Sequence, residues 1–484
     1  MADVTYDDID ALLAPQEAGP IHFIGIGGAG MSVLARMFST LGVQVSGSDA
    51  KASAVTRALQ AQGIEVGVPQ AAHNINNPST VVVSSAIRAD NPELVRARET
   101  GARIIHRSQA LALLMRGQRA IAVAGAHGKT TTSAMIAVAA NAAGTSPSFA
   151  IGGSVRTATG AIAGGAVGES DVLVAEADES DGSFLNYEPY IAVVTNIEPD
   201  HLDHYGSKEA FEQAFVQFAQ RITPTGVLVA CADDPGARAL ADEVARQGRI
   251  AITYGQDGDA DLSITNLTQI PGTQQATFDV SWSDGIVTGF VGGTVHLELQ
   301  VPGIHNALNA TGAFAALLFL GITPEEAARG LHEFVGTGRR FEERGVVDGV
   351  TVVDDYAHHP TEVAALLSAA RVSAGAGRVL VLFQPHLYSR TRIFAAEFAS
   401  ALDHADETVL TAIYAAREDH DPATSSQMIA ELMRSSVQYV PEREAAAREI
   451  ARRARTGDLI LTVGAGDVTE LGDVVLDELQ KLRS

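Results

Sequence analysis

The sequence predicts an α/β protein with three domains, and three observations support this. Short runs of Val, Ile and Leu alternate with Ala- and Leu-rich helical stretches along most of the chain. This alternation is typical of parallel strands covered by helices on both faces. The length of 484 residues exceeds what a single hydrophobic core usually supports. Two glycine-rich loops, each between a predicted strand and a predicted helix, also fall in different parts of the chain.

The strand predictions rest on nine apolar runs that are nearly continuous, as expected of strands buried on both faces. They are IHFIGIG, TVVVSSA, AIAVAG, DVLVAEA, IAVVTNI, GVLVA, VTVVDDY, RVLVLFQ and DLILTVG. The stretch 257–303 differs, because its polar and apolar residues alternate around turn residues. It predicts a small antiparallel meander inside the central domain.

Two changes in composition give the predicted domain boundaries. The segment at 116–119 separates the first group of strands and helices from the second. A segment at 335–350, rich in glycine and charge, precedes a fresh series of strands and helices. The three predicted domains are 1–117, 118–336 and 337–484.

Charge and composition exclude several classes of protein. The chain has 34 Lys and Arg against 58 Asp and Glu, a formal net charge of −24. Such a surface repels nucleic acid and anionic lipid, so an anionic ligand needs local clusters of donors. Cys231 is the single cysteine, which excludes internal disulfides and multi-cysteine metal sites. The sequence has no apolar run long enough to span a membrane and no signal peptide, so we expect a soluble, cytoplasmic protein.

The first glycine loop follows the predicted strand IHFIGIG and has the pattern Gly25-x-Gly27-x-x-Gly30. Glycine at these positions lets the backbone turn tightly and approach a pyrophosphate at the start of the next helix. Asp49, about 20 residues further on, could hold a ribose hydroxyl. The loop therefore predicts a nucleotide-diphosphate site, with a tight structural turn as the alternative. Taken alone, it would also fit a dinucleotide-dependent dehydrogenase.

The second loop, AGAHGKTTT, is a shortened phosphate-binding loop. The usual pattern G-x-x-x-x-G-K-[ST] needs a glycine five positions before Gly128, but Val123 stands there. The remaining pattern lets backbone amides surround phosphates, with Lys129 at the β and γ oxygens and a threonine hydroxyl on Mg²⁺. A capped helix after a glycine turn is the alternative. Since hydride transfer needs no γ-phosphate site, this loop argues against the dehydrogenase.

Acidic residues follow two of the predicted strands. Glu176 ends one strand at the edge where parallel sheets bind ligands, so we predict it as a Mg²⁺ ligand. The acids that follow it are expected to be solvated or to cap helices; these are Asp178, Glu179 and Asp181. The next strand leads into a crowded polar turn made of Asn196, Asp200, His201, Asp203 and His204. Considered alone, this turn fits Mn²⁺ or Zn²⁺, or a hydrogen-bonded loop, and His201 could instead supply one nitrogen to a second Mg²⁺.

Together these motifs resemble the Mur ligase family along nearly the whole chain. The family uses a shortened G-x-x-G-K-T-T loop for ATP, and HGKTTT, EADESD, NIEPDHLDHYG and PGIHNALNATGA match its central motifs. The resemblance implies an N-terminal Rossmann-like domain, a central P-loop ATPase domain and a C-terminal Rossmann-like domain. It also implies two Mg²⁺ ions, with the metal ligands Thr130, Glu176 and His201. The implied ATP-binding residues are Gly125, Ala126, His127, Gly128, Lys129, Thr130, Thr131, His305 and Asn306.

In this family the first loop would hold the diphosphate of a UDP-sugar instead of NAD. The implied UDP-sugar residues are Gly25, Gly27, Gly28, Ala29, Gly30, Asp49, Ser84 and Ser85. In the last third of the chain, VVDDYAHHPTE and FQPHLYSRTR match the branch that uses UDP-muramate as acceptor. They imply an amino-acid and acyl-phosphate region formed by Tyr356, His386, Arg390 and Arg392. The implied catalytic residues are Lys129, Glu176, His201, His358 and Arg390.

Some positions in the last third leave their role open. Many relatives carry a basic residue where this chain has Leu387, so one expected cation is absent. Without the resemblance, Arg390 would fit a surface position equally well, and VGAGD at 464–467 would fit a structural turn. IYAAREDH, with Tyr414, Arg417 and Glu418, is expected near the amino-acid pocket. Lys208 follows the histidine cluster but is not assigned to the metal site.

The resemblance implies an ATP-dependent ligase that joins L-alanine to UDP-N-acetylmuramate through an acyl phosphate. The substrates would be UDP-N-acetylmuramate, L-alanine and ATP. Sister ligases that add another amino acid or a whole peptide to the same type of acceptor are the alternative within the family. An NAD-dependent oxidoreductase and a non-catalytic nucleotide sensor are the alternatives from other classes.

Overall fold

A computed structural model describes residues 6–9, 11–157, 160–198, 202–287, 289–416 and 418–483. The chain forms two compact units. The first consists of Met1–Thr265, Val280–Val295 and Leu308–Glu333, and the second of Asn266–Asp279, His296–Ala307 and Phe334–Ser484. The predicted boundaries at 117/118 and 336/337 stay predictions.

The N-terminal part of the first unit is a parallel sheet of five strands in the order β3-β2-β1-β4-β5. Its strands are β1 (Ile21–Ile24), β2 (Val45–Ser48), β3 (Glu65–Gly67), β4 (Thr80–Val83) and β5 (Arg103–His106). Its helices are α1 (Ala29–Thr40), α2 (Ala54–Ala61), α3 (Pro92–Thr100) and α4 (Arg107–Met115). Strands β1 and β4 are fully buried, because helices cover both faces. Since the strands are parallel, the loops after β1, β4 and β5 share one edge of the sheet.

The central part contains a sheet in the order β10-β7-β11-β6-β12-β13-β14-β15-β16-β17. Its strands are β6 (Arg119–Ala124), β7 (Ser148–Ala150), β10 (Gly165–Ala166), β11 (Val172–Glu176), β12 (Ile191–Val194), β13 (Val227–Cys231), β14 (Ile250–Gly255), β15 (Leu262–Gln269), β16 (Ala276–Trp282) and β17 (Gly293–Leu299). The short hairpin between β7 and β10 consists of β8 (Val155–Thr157) and β9 (Gly160–Ile162). The helices are α5 (Lys129–Ala142), α6 (Leu202–Tyr205), α7 (Lys208–Gln220), α8 (Pro235–Arg246), α9 (Ile304–Phe319) and α10 (Pro324–His332). Pairing is parallel from β7 through β11, β6, β12 and β13 to β14.

The last strands of this sheet form the predicted meander. The Asp279 side chain accepts a hydrogen bond from Asn266 (2.7 Å) on one side and contacts His296 Nδ1 (2.7 Å) on the other. Two residues later, the Ser281 hydroxyl contacts Thr294 at 2.8 Å. The partner on β17 therefore moves backward as β16 moves forward, which makes this pair antiparallel.

The C-terminal part is a sheet of six strands in the order β19-β20-β24-β21-β22-β23. Its strands are β19 (Glu342–Val347), β20 (Val350–Asp355), β21 (Val379–Phe383), β22 (Glu407–Leu410), β23 (Ser436–Tyr439) and β24 (Leu459–Val463). A short strand, β18 (Phe334–Thr337), comes before this sheet in the chain and is not part of it. The helices are α11 (Pro360–Ala374), α12 (Tyr388–Ile393), α13 (Ala395–Leu402), α14 (Gln427–Ala430), α15 (Arg443–Arg453) and α16 (Leu471–Arg483). All pairs are parallel except β19 with β20.

Alternate residues of β21 explain why its sequence is apolar throughout. Val381 and Phe383 belong to the core formed with α11 and α13, whereas Leu380 and Leu382 belong to the core formed with α15 and α16. Both faces of the strand are therefore covered, as the continuous apolar run predicts. The nine apolar runs of the sequence all contain strands, and the predicted α/β class is confirmed.

Short 3-10 helices occur at Pro15–Ala18, Ala72–Asn74, Ser183–Asn186 and Asp467–Glu470. Within the described part of the chain, no helix combines the length and the apolar character needed to cross a membrane.

Candidate functional site

The first glycine loop connects β1 to α1 and is braced by Asp49. Gly25 has a φ of +81°, which glycine adopts without strain. The amides of Gly25 and Ile26 donate to the carbonyl of Ser48 at the end of β2, each at 2.8 Å. The amide of Gly27 donates to the Asp49 carboxylate (2.9 Å), so this acid fixes the loop in addition to any contact with a ligand.

The predicted Ser84 and Ser85 lie in the turn after β4, beside the same loop. Ser84 is partly buried and Ser85 is exposed. The turn is closed by a hydrogen bond from the amide of Ile87 to the carbonyl of Ser84 (3.0 Å). The side chain of Ile87 comes within 3.6 Å of where a Cβ on Gly25 would lie. The structure thus brings Gly25, Asp49 and the serine turn to one edge of the first sheet.

The second loop connects β6 to α5 and needs glycine at both of its ends. Gly125 has a φ of +131°, and a Cβ there would collide with Thr195 Oγ1 and lie 2.9 Å from the carbonyl oxygen of Asn196. Gly128 has a φ of +85°, and a Cβ there would lie 2.6 Å from Asn309 Oδ1. Asn196 also accepts a hydrogen bond from the amide of His127 (3.0 Å). The shortened loop is therefore held by the residues that follow β12 and by Asn309 of α9.

Lys129 begins α5, and its ammonium group is folded back across the loop. It donates to the carbonyls of Gly125 (2.6 Å) and Ala126 (3.3 Å) and to the Glu179 carboxylate (2.9 Å). Only 1% of the Glu179 side chain is exposed, and both of its oxygens lie 2.9 Å from the ammonium nitrogen. The expectation that Glu179 is solvated or caps a helix is therefore wrong, because it is the buried counter-ion of the loop lysine.

The electrostatics of this pair keep the lysine charged. Burial lowers the pKa of Lys129, but the carboxylates of Glu179, Asp178 and Glu176 outweigh it and raise the pKa overall. Burial likewise acts to raise the pKa of Asp178, yet Lys129 and the amide of Ser180 hold it below its usual range. The loop therefore presents an ammonium ion within a group of carboxylates.

Removing Glu179 should destabilise the protein. For Glu179→Ala we expect a loss of about 3 kcal/mol in the free energy of unfolding, because a partly buried ammonium loses its counter-ion. Urea unfolding measures this loss. A matched control is Glu212→Ala, whose exposed pair with Lys208 (3.5 Å) should contribute less than about 1 kcal/mol. Equal losses in the two variants would show that the Lys129–Glu179 pair has no special role.

The predicted metal ligands Thr130 and Glu176 lie next to two consecutive glycines, Gly152 and Gly153. The amide of Gly152 donates to Glu176 Oε1 at 2.9 Å. The methyl group of Thr130 comes within 3.5 Å of where a Cβ on the next residue, Gly153, would lie. The structure thus brings Thr130 and the Glu176 carboxylate to neighbouring glycines, and residues with oxygen donors suit Mg²⁺. His201, the third predicted ligand, lies outside the described residues.

In the second unit, the ring of the predicted residue Tyr356 is contacted by two arginines. The guanidinium carbons of Arg339 and Arg340 lie 4.9 and 5.0 Å from the centre of its ring. Arg339 also donates to the carbonyls of Gly464 (2.7 Å) and Gly466 (3.2 Å). The glycine turn after β24 therefore anchors a cation-lined surface around Tyr356.

The histidines of the two C-terminal motifs meet beside this tyrosine. The rings of His358 and His386 lie 5.9 Å apart, and His386 stacks on Tyr414 at 5.8 Å. Arg390 lies 3.4 Å from His386 Nδ1 and is only 7% exposed, so a surface position for this arginine is wrong. Tyr356, His358, His386, Arg390 and Tyr414 thus form one cluster.

Other predicted residues lie at the margin of this cluster or apart from it. Arg392 is 58% exposed and pairs with Asp421 (3.0 Å), so the structure does not bring it to Arg390. Glu418 accepts from the amides of Tyr388 (2.5 Å) and Ser389 (3.1 Å) and thereby holds the start of α12. Arg417 lies outside the described residues.

His305 and Asn306 lie in the first turn of α9. Asn306 is buried and donates to the carbonyl of Pro302 (2.7 Å). Burial lowers the pKa of His305 to about 4, and the charge of Arg340 acts in the same direction. The His305 ring is therefore a neutral hydrogen-bonding group near pH 7.

Buried ionisable groups surround the C-terminal cluster. Burial raises the pKa of Asp355 to about 6, against Arg340 and against hydrogen bonds from the amides of Phe341 and Ala357. Burial lowers the pKa of His358 to about 4, against the attraction of Glu362, whose carboxylate lies 3.3 Å away. His358 is thus neutral at pH 7 and is a hydrogen-bonding partner there, not a cation.

His358 should make stability depend on pH. Because its folded pKa of about 4 lies below the usual 6.5, its contribution to stability is present above pH 6.5 and is lost as the pH falls to 4. The loss is at most about 3 kcal/mol. Denaturant unfolding between pH 7 and 4 should show a smaller loss for His358→Gln than for the unmodified chain. The exposed residue His73 gives the control variant His73→Gln, and identical curves for His358→Gln and the unmodified chain would contradict the assignment.

Three residues of these sites have no sequence prediction, and the prediction for Glu179 is wrong. Arg339 and Arg340 stand in GRRFEER, where glycine and charge predict a domain boundary and not a site. Asn309 is the second asparagine of the H-N-x-x-N segment, so that motif could have indicated it. Glu179 stands in the motif EADESD, but its pairing with Lys129 depends on the fold and is not visible in the sequence.

Comparison with known proteins gives three family matches along the chain. Residues 20–119 match the Mur ligase catalytic domain, 123–317 the Mur ligase middle domain, and 339–466 the Mur ligase glutamate ligase domain. The UDP-N-acetylmuramate–L-alanine ligase of Kineococcus radiotolerans is 52% identical over 95% of this chain and 96% of its own length.

Two solved structures extend this comparison. The UDP-N-acetylmuramate–alanine ligase of Thermotoga maritima matches with a TM-score of 0.74 and 29% identity, over 96% of this chain and 99% of that one. The murein peptide ligase of Psychrobacter arcticus matches with a TM-score of 0.66 and 25% identity, over 95% and 98%.

Proposed function

Because the chain belongs to the Mur ligase family, we propose that it joins L-alanine to the carboxylate of UDP-N-acetylmuramate and converts ATP to ADP and phosphate. The relative from Kineococcus radiotolerans carries that activity in its name and is 52% identical over nearly the full length. The product would be a precursor of peptidoglycan, and the enzyme would act in cell-wall synthesis. We place it in the cytoplasm, where ATP and the nucleotide sugar are available.

The observation that carries the proposal is the pair of glycine loops at the carboxyl ends of two parallel sheets. The loop after β6 presents a charged Lys129 beside the oxygen donors of Thr130 and Glu176, which suits a nucleoside triphosphate with its metal. The loop after β1 has no lysine and is braced by Asp49, which suits the diphosphate and ribose of UDP. Two phosphorylated substrates account for two loops of different design.

The chemistry proceeds in two balanced steps. A carboxylate oxygen of the muramate attacks the γ-phosphorus of ATP, the bond to the β-phosphate oxygen breaks, and ADP leaves. The amine of alanine then attacks the carbonyl carbon of the acyl phosphate, loses a proton, and displaces phosphate. No side chain has to act as a nucleophile, so the residues contribute by alignment and by neutralising charge. Lys129 is suited to stabilise the γ-phosphoryl group as it moves.

The residues that would hold Mg²⁺ are Thr130 and Glu176, with His201 as a further candidate for a second ion. The oxygen donors around Gly152 and Gly153 fit this ion. When bound, Mg²⁺ neutralises charge on the phosphate oxygens of ATP. For Glu176→Ala we expect a higher Mg²⁺ concentration at half-maximal rate. Asp171→Ala, at the opposite end of the same strand, is the control, and equal metal titrations of the two variants would contradict the role of Glu176.

The C-terminal cluster suits the amino acid and the acyl phosphate. Arg340 and Arg390 supply positive charge beside this cluster, while the neutral ring of His358 and the ring nitrogens of His386 supply hydrogen-bonding groups. An anionic carboxylate or phosphoryl group would be stabilised there in a chain that is otherwise strongly acidic. Arg392, paired with Asp421, is assigned no part in this binding.

The test is phosphate release from ATP in the presence of UDP-N-acetylmuramate, compared across L-alanine, glycine, L-serine and a tripeptide. We expect the largest kcat/KM with L-alanine. Release with the tripeptide and none with alanine would instead identify a peptide ligase, the class of the Psychrobacter arcticus relative. Release with neither would overturn the proposal.

A further inference from the structure

We propose that Arg107 binds the diphosphate of the nucleotide sugar at the first glycine loop. The inference rests on the proposed function and adds to it a residue that no sequence motif indicates. Arg107 is the first residue of α4 and directly follows β5, at the same edge of the sheet as the loop after β1. Strand β4 separates β1 from β5, so the two backbones are roughly 10 Å apart at this edge.

The arginine side chain crosses this gap and reaches Gly30. A Cβ on Gly30 would lie 3.3 Å from both Cδ and Nη1 of Arg107. Gly30 is the second residue of α1, and its lack of a side chain leaves the space that the guanidinium group approaches. The glycines of the loop therefore let its backbone turn tightly, and Gly30 also leaves space for this cation.

The backbone amides available to an anion lie at the same place. The amides of Gly25, Ile26, Gly27 and Gly28 are already bonded to Ser48, Asp49 and Gly25. The next three amides, of Ala29, Gly30 and Met31, belong to the first turn of α1 and have no acceptor within the helix. An anion at these amides gains from the helix dipole and would lie beside the Arg107 guanidinium.

In the described ranges, Arg107 has no carboxylate in direct contact. Among the residues that the structure describes, none forms an ion pair or a hydrogen bond with its partly buried guanidinium group. A partly buried arginine elsewhere in the chain, Arg378, pairs closely with Asp458 (2.6 Å) and Glu407 (2.7 Å). In a chain with a net charge of −24, an arginine with no directly bonded carboxylate, beside amides that have no acceptor within their helix, suits an anionic ligand.

The ligand class follows from this geometry. A guanidinium group and adjacent helix amides match the oxygens of a diphosphate. Bound there, the guanidinium group would hold the diphosphate end of the nucleotide, from which the sugar extends.

The test measures binding of UDP, uridine and ATP to the full chain by titration calorimetry. For Arg107→Met we expect UDP to bind at least about tenfold more weakly, with the affinities for uridine and ATP unchanged. Arg107→Lys should lose less, because it keeps the charge but not the paired hydrogen bonds. The matched control is Arg103→Met, at the opposite end of β5, which should bind UDP as the unmodified chain does. In turnover, Arg107→Met should raise the KM for UDP-N-acetylmuramate and leave the kcat and the KM for ATP unchanged.

The outcomes separate this inference from the proposed function. If the unmodified chain does not bind UDP, the proposed function fails and this inference fails with it. If the unmodified chain binds UDP, and Arg107→Met and Arg107→Lys bind UDP as tightly as the unmodified chain does, only the role of Arg107 is overturned. The same conclusion follows if uridine binding falls as much as UDP binding, because the arginine would then support the fold and not the phosphates. Should Arg107→Met fail to fold, the affinity of Arg107→Lys decides.

Discussion

Lys129→Ala should reduce alanine-dependent phosphate release by at least about a hundredfold, which corresponds to about 3 kcal/mol of barrier. Lys129 is the first residue of α5, and its ammonium group is held at the loop by two backbone carbonyls and by Glu179. Phosphoryl transfer depends on stabilising charge as it moves between oxygens, and this lysine is the cation that the loop itself supplies. A stopped assay of phosphate with all three substrates measures the effect.

Two further measurements make this result specific. Lys208→Ala removes a lysine that is 60% exposed at the start of α7, and it should keep the unmodified rate. Binding of UDP by Lys129→Ala should also be unchanged, because the first glycine loop belongs to a different sheet. A Lys129→Ala variant that turns over like Lys208→Ala would disprove the role of this loop in phosphoryl transfer.

The fold could be predicted from the sequence because its strands are buried on both faces. A run such as RVLVLFQ has no polar face, and the structure explains this by placing helices on either side of β21. Glycine loops were equally visible, since Gly25 and Gly125 adopt positive φ values that other residues avoid. These features depend on local sequence and need no knowledge of distant contacts.

The contacts within the sites were harder to predict because they depend on residues far apart in the chain. Glu179 was grouped with neighbouring acids, but the fold buries it on Lys129, 50 positions earlier. Arg390 and Arg392 were grouped in one motif, yet helix α12 directs the first to His386 and leaves the second at Asp421. Residue type and spacing thus indicate where the sites lie. Which residues belong to each site depends on the direction of their side chains in the folded protein.

Gly125→Ala should lower ATP-dependent turnover by at least about a hundredfold, through geometry alone. At a φ of +131° an alanine is strained, at a cost of about 1–3 kcal/mol. Its Cβ would also collide with Thr195 and lie 3.0 and 2.9 Å from the backbone nitrogen and oxygen of Asn196. The loop would have to move away from β12, and with it the carbonyl that holds Lys129. A displacement of about 1 Å at a reacting centre can cost a hundredfold in rate.

Gly144→Ala is a control that distinguishes the effect of backbone strain from the effect of a steric collision in Gly125→Ala. Gly144 follows the end of α5 and also has a positive φ, of +79°, but a Cβ there meets no atom within 4 Å. This variant should lose about 1 kcal/mol of stability and keep its turnover. Since both substitutions add one methyl group at a left-handed position, the difference between them isolates the contact with Thr195 and Asn196. Equal turnover of the two variants would contradict the requirement for glycine at the start of the loop.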